Sequence, residues 1–235
     1  MRHAENALLF DVFGTVVDWR TSIIREVDAF AAQNGIALDA AVFADAWRGL
    51  YQPYMERVRS GAEPWTPLDD LHLRSLRQLL AERGLDDLPE DAVLDLSLAW
   101  RRLDPWPESP AALRRLRERS IVVPVSNGNV ALMVHLARHA DLTWDTILGA
   151  EPARAYKPDP AVYRTAAAML RLPPERCMMV AAHNGDLRAA AAVGLRTAFV
   201  HRPLEFGPER QGETAEGTYD FVAADLADLA DQLLI

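Results

Sequence analysis

Four short apolar runs govern what this chain can fold into. "ALLF" precedes Asp11, "SIVVPV" precedes Ser126, "CMMVAA" precedes His183, and "TAFV" runs into His201. Each stops at a polar or glycine-bearing turn. Continuous apolar runs of this length suit parallel strands buried on both faces and covered by helices. "SPAALRRLRERS" and "DLRAAAAVG" supply helical patterns, the second closing on a glycine suited to a helix C-terminus. The expected fold class is α/β, and in such sheets chemistry gathers at the C-terminal ends of the strands.

A long insertion separates the first strand from "SPAALRRL". Its stretches "TSIIREVDAFAAQNG", "DAAVFADAWRGLYQPYMERVRSG", "PLDDLHLRSLRQLLAERG" and "EDAVLDLSLAWRRL" read as amphipathic helices punctuated by Gly and Pro. An all-helical segment interrupting an α/β core is most simply a cap. Residues 17–103 are therefore expected to form the cap, with 1–16 and 104–235 forming the core. The polar, turn-rich tail "HRPLEFGPERQGETAEGTYD" is expected to be a surface loop before a last short strand and helix.

The formal net charge of -9 over 235 residues disfavours a nucleic-acid partner. The single cysteine, Cys177, excludes an internal disulfide and suits a reducing compartment. The start "MRHAENALLF" lacks a signal-peptide core, and no run is long enough to span a membrane. A cytoplasmic protein without a membrane or nucleic-acid partner is expected, and a homodimer is left open.

Polar residues line up at the strand ends: Asp11 and Thr15, then Ser126 and Asn127, then Lys157, then His183, Asn184 and Asp186. A carboxylate ending a buried strand is costly unless it is paired, hydrogen-bonded or chemically used. An aspartate nucleophile must stay ionised while poorly hydrated, so it needs a nearby cation, and Lys157 suits that role. The hydroxyls of Thr15 and Ser126 can orient its oxygens, and Gly14 lets the backbone turn sharply beside it.

"FDVFGT", "VSNG", "YKPDPAVY" and "MMVAAHNGD" together resemble the four motifs of the haloacid dehalogenase superfamily, and the similarity covers nearly the whole chain. The resemblance implies a Rossmann-like core with a helical cap inserted after the first strand. It also implies that Asp11 becomes covalently esterified and is then released by hydrolysis.

Phosphatases of that superfamily carry a second aspartate two residues after the nucleophile, where this chain has Phe13. A phenylalanine cannot protonate a leaving alkoxide, whereas halide leaves without a proton. The first carboxylate of the fourth motif is replaced by Ala182, which weakens a magnesium site. Both features resemble the L-2-haloacid dehalogenase branch, which needs no metal or other cofactor. That resemblance implies a halide-receiving arginine in the cap, matched by Arg48 in "DAWRGLY", and an active-site tyrosine, matched by Tyr163, which with Phe13 is expected to line the substrate or halide site. Asn127 would share the halide, and backbone N–H groups near the first motif would hold the substrate carboxylate. Asp186 is the implied base for water. His183 and Gly185 depart from the branch, leaving His183 to assist that water, to contact substrate or to serve a structural role. The expected reaction takes a short 2-haloalkanoic acid to a 2-hydroxyacid and halide. The alternative is a magnesium-dependent phosphatase acting on a small phosphoester.

Overall fold

The computed structural model describes residues 6–234. Residues 1–5 and 235, which the expected core includes, lie outside it. The chain opens with β1 (Ala7–Phe10) and β2 (Val17–Asp18), followed by α1 (Trp19–Asn34), α2 (Ala40–Arg59), α3 (Leu68–Ala81) and α4 (Glu90–Ser97). It continues through β3 (Asp104–Pro105), α5 (Ser109–Arg117), β4 (Ile121–Ser126), α6 (Val130–His139), β5 (Leu148–Gly149), α7 (Ala150–Ala153) and α8 (Pro160–Met169). The last elements are β6 (Cys177–Ala181), α9 (Asn184–Ala192), β7 (Arg196–Val200), β8 (Phe221–Ala223) and α10 (Leu226–Leu234).

Six of the strands form one parallel sheet in the order β5-β4-β1-β6-β7-β8. Side chains alternate across its two faces: Leu8 and Phe10 of β1 join one apolar cluster, Ala7 and Leu9 the other. Met178 and Val180 of β6 likewise part from Cys177, Met179 and Ala181. Both faces are covered, which is why the runs are apolar without alternation. The register sets Phe10 opposite Pro124 and Val180, so the central strands end nearly level and present Asp11, Ser126 and Ala182 together.

Helices α1–α4 form a block between β1 and β4, and the chain enters and leaves it through the antiparallel pair β2–β3. Asp18 caps α1 by accepting from the Thr21 N–H, and Asp39 caps α2 by accepting from that of Val42. Three contacts hold the helical block over the strand ends. Tyr156 Oη donates to the Thr66 carbonyl at 2.6 Å, Arg59 Nη1 donates to the Lys157 carbonyl at 2.9 Å, and Asn129 Nδ2 donates to Asp69 Oδ2 at 2.9 Å.

Two short features were not anticipated, the β2–β3 pair and the two-residue strand β5. β5 depends on Gly149 at φ +116°, where a Cβ would lie 2.3 Å from the Ser126 carbonyl oxygen. The tail runs over the surface. It is largely exposed and leads into β8 and α10 as expected, but two of its polar residues, Arg202 and Glu205, are buried against the core. No helix among the described residues is long and apolar enough to cross a membrane.

Candidate active site

Asp11 follows the last residue of β1, with its N–H donating to the Val180 carbonyl at 3.0 Å. The loop beyond it closes on itself: Gly14 N–H donates to the Val17 carbonyl, and the N–H groups of Val16 and Val17 reach back to Val12. Those three N–H groups are thereby withdrawn from any substrate carboxylate. Trp106 Nε1 donates to the Gly14 carbonyl and Arg202 Nε to that of Thr15, fixing the loop from outside.

Three side chains converge on the Asp11 carboxylate. Lys157 Nζ donates to Oδ1 at 2.8 Å, Thr15 Oγ1 donates to Oδ2 at 2.8 Å, and His183 Nδ1 lies 3.0 Å from Oδ2. Because Thr15 Oγ1 already accepts from the Ala182 N–H, its proton is directed at Asp11. Burial alone would raise the Asp11 carboxyl, but the Lys157 charge and the His183 hydrogen bond outweigh it and hold Asp11 well below the usual carboxylate range. Asp11 is ionised and only 7 % exposed.

Lys157 also donates to Asp186 Oδ2 at 2.5 Å, and Tyr163 Oη donates to Asp186 Oδ1. Burial works against the Lys157 ammonium, yet the Asp11 and Asp186 charges raise its pKa above the ordinary lysine value. Burial raises the Asp186 carboxyl in spite of Lys157, and the charge of Asp11 adds to the rise. Asp186 is therefore the more basic of the two acids.

Ser126 behaves differently from its expected part. Its Oγ accepts from the Gly128 N–H at 3.1 Å, and among the described residues it makes no hydrogen bond to Asp11. It shapes the turn after β4 instead. Asn127 Oδ1 accepts from the Lys157 N–H at 2.8 Å, which ties the second strand end to the lysine loop, and its amide reaches the Tyr51 hydroxyl. Asn184 faces away from Asp11, bonded to Glu213, Thr214 and Tyr219 of the tail. Its role is to anchor α9 against that segment.

An aromatic wall roofs the site. Phe13 meets Tyr51 and Trp100 edge to face, with ring centroids 6.5 and 5.9 Å apart. Phe13 is thus a packing residue in the position of the phosphatase acid. Arg48 lays its guanidinium over the Tyr51 ring at 4.0 Å, and its Nη1 is buried without a hydrogen-bond partner. An unpartnered buried cationic donor is costly, and an anion arriving there would satisfy it. His72 stacks on Trp100 at 4.5 Å with neither ring nitrogen bonded. Burial, reinforced by the Arg48 charge, holds its pKa well below the ordinary value, so it stays neutral.

Glu205 carries no local sequence signal for a site. It is 1 % exposed, and both of its oxygens lie 3.0 Å from His183 Nε2. Trp19 Nε1 donates to Oε1 at 3.3 Å. Gly14 makes room for it: at φ +86°, a Cβ there would lie 2.3 Å from Glu205 Oε1. His183 consequently stands between two carboxylates. Burial opposes its charge, but the hydrogen bonds of Asp11 and Glu205 prevail and push its pKa up to about 10.

The sequence model of haloacid dehalogenase-like hydrolases matches residues 5–194 of this chain. The chain belongs to that family. Among solved structures, this hydrolase is similar to a defluorinating L-2-haloacid dehalogenase, at 44% identity and a TM-score of 0.96, over 98% of this chain and 96% of the other. A second L-2-haloacid dehalogenase is 47% identical with a TM-score of 0.94, over 98% and 99% of the two chains. (S)-2-haloacid dehalogenase 4A of Burkholderia cepacia is 26% identical over 215 residues, which is 86% of this hydrolase and 87% of that relative.

Proposed function

We propose that this hydrolase cleaves the carbon–halogen bond of short (S)-2-haloalkanoic acids, giving 2-hydroxyacids and halide through an ester on Asp11. The observation that carries the reading is an ionised, buried aspartate whose neighbouring acid position is filled by Phe13, packed among aromatic rings. Such a site can displace a leaving group that needs no proton. The likeness to the L-2-haloacid dehalogenases supports the same substrate class.

Asp11 attacks C2 with inversion, and the electron pair of the C2–halogen bond departs with the halide. Arg48 and Asn127 receive the growing negative charge, for which the unpartnered Nη1 is already buried. Lys157 keeps Asp11 charged until it reacts. Asp186, aligned by Lys157 and Tyr163, takes a proton from the water that attacks the ester carbonyl of Asp11. The helical block over the strand ends excludes bulk water from the first step. The single buried Cys177 suits a cytoplasmic setting.

The test is halide release from fluoro-, chloro- and bromo-acetates and 2-halopropionates, with and without EDTA. Halide and 2-hydroxyacid in equal amounts, unaffected by EDTA, are expected. Magnesium-stimulated phosphate release from p-nitrophenyl phosphate without halide release would overturn the reading.

A further inference from the structure

Resting on the ester mechanism proposed above, we infer that His183, held by Glu205, is the oxyanion donor of the hydrolytic half-reaction, so that Asp11 attacks through Oδ1 and keeps Oδ2 as its carbonyl oxygen. The two oxygens of Asp11 are not equivalent. Oδ2 accepts from both Thr15 Oγ1 and His183 Nδ1, at 2.8 and 3.0 Å, which occupies both of its in-plane lone pairs. Among the described residues Oδ1 accepts from Lys157 Nζ alone, and it retains a lone pair for C2. Two donors converging on one carbonyl oxygen are the arrangement that stabilises a tetrahedral intermediate.

The steps balance. Oδ1 forms the bond to C2 as the halide leaves with the electron pair of the C2–halogen bond, and Cγ–Oδ2 becomes the ester carbonyl. Water then attacks Cγ, giving a proton to Asp186, while the carbonyl electron pair moves onto Oδ2 between Thr15 and His183. The intermediate collapses by breaking Cγ–Oδ1, and the departing alkoxide takes the proton from Asp186. Asp11 is left as a carboxylic acid, which returns to the carboxylate by losing its proton to solvent.

Glu205 is a positioning residue in this scheme. With a carboxylate at each ring nitrogen, both nitrogens must donate, so His183 stands as an imidazolium aimed at Oδ2. The groups facing it are Asp11 on one side and Glu205 on the other. Behind them Lys157 is shared between Asp11 and Asp186, and Arg202 lies near Glu205 while paired with Glu108. The close fit of Glu205 against Gly14, and the Trp19 donor on its Oε1, show a buried place built for this carboxylate.

Glu205→Gln tests the scheme, with (S)-2-chloropropionate as substrate. The variant is expected to release one equivalent of halide per enzyme in a burst at near the wild-type rate, then to turn over slowly while the ester accumulates by intact mass. Without the second carboxylate His183 loses its proton nearer its ordinary pKa, so kcat of the variant falls with rising pH above neutrality while that of the wild type does not. A residue with only a structural role would lower thermal stability without moving that profile. His183→Gln removes the charged donor and is expected to slow ester hydrolysis by about a hundredfold, the scale of one oxyanion-hole donor. Should Glu205→Gln not fold, nitrogen-15 NMR of the wild-type His183 ring at pH 8 decides, with both nitrogens protonated as the expected result. A neutral ring, or a Glu205→Gln enzyme with unchanged kcat, pH profile and no trapped ester, would overturn the inference. Absence of halide release by the wild type would instead overturn the reaction on which it rests.

Discussion

Lys157 Nζ lies 2.8 Å from Asp11 Oδ1 and 2.5 Å from Asp186 Oδ2, so one ammonium ties the two carboxylates together. All three groups are at least nine-tenths buried, where two carboxylates without a cation could not both stay ionised. Lys157→Met is therefore expected to lower halide release at least about a thousandfold, since Asp11 or Asp186 must then take up a proton. It should also cost about 3–5 kcal/mol of stability, the scale for breaking a buried ion pair. Halide release and urea denaturation of the same preparation check both. An active, equally stable Lys157→Met enzyme would remove the lysine from its assigned role.

Arg48 is a further cation, placed by α2 over the Tyr51 ring with Nη1 unpartnered. Arg48→Ala should reduce halide release by about 10²–10³-fold, as for the loss of one preorganised donor to a developing anion. Arg48→Lys keeps the charge but loses the planar fork, so it should remain impaired. Neither change breaks an ion pair, and thermal melting should shift little. Full activity in Arg48→Ala would place the halide elsewhere.

Stability should carry the signature of His183. Its folded pKa is raised from 6.5 to about 10, so the stabilisation is complete below pH 6.5, declines as pH rises, and is gone above about pH 10. Unfolding free energies of the wild type and His183→Asn, measured from pH 6 to 10, should converge with rising pH. A parallel pair of curves would mean that His183 is not held charged in the folded protein.

Chelation should leave the reaction intact. The space between Asp11 and Asp186 holds the Lys157 ammonium, and Ala182 stands where a further carboxylate would be needed. Activity after exhaustive EDTA dialysis should match the untreated enzyme, and loss restored by magnesium would contradict this.

The parts legible in the sequence are those written in local pattern. Strand ends show as apolar runs stopping at Asp11, Ser126 and His183, and the helices of the cap show as amphipathic stretches between Gly and Pro. The two-residue strands do not, because a pair such as Leu148–Gly149 carries no periodicity. The turn bond of Ser126 is not legible either, because a hydroxyl at a strand end serves a turn as readily as a carboxylate, and here its Oγ accepts from Gly128 N–H. Glu205 was illegible for a different reason. It lies in "HRPLEFGPERQ", whose polarity and turn residues suit a surface loop, and its burial depends on space left by Gly14, 191 positions earlier. The departure at His183 was the available hint, since a buried histidine beside an aspartate calls for a second partner.

The central claim is that Asp11 carries the substrate as an ester. Asp186→Asn removes the water-activating base while leaving a hydrogen-bonding group for Lys157 and Tyr163, so attack by Asp11 should proceed and hydrolysis should stall. After brief exposure to (S)-2-chloropropionate and acid quench, intact mass should show a chain heavier by one propionate unit, and peptide mapping should locate it on Asp11. Halide release with no adduct on the Asp11 peptide, or turnover persisting in Asp11→Asn, would contradict the account.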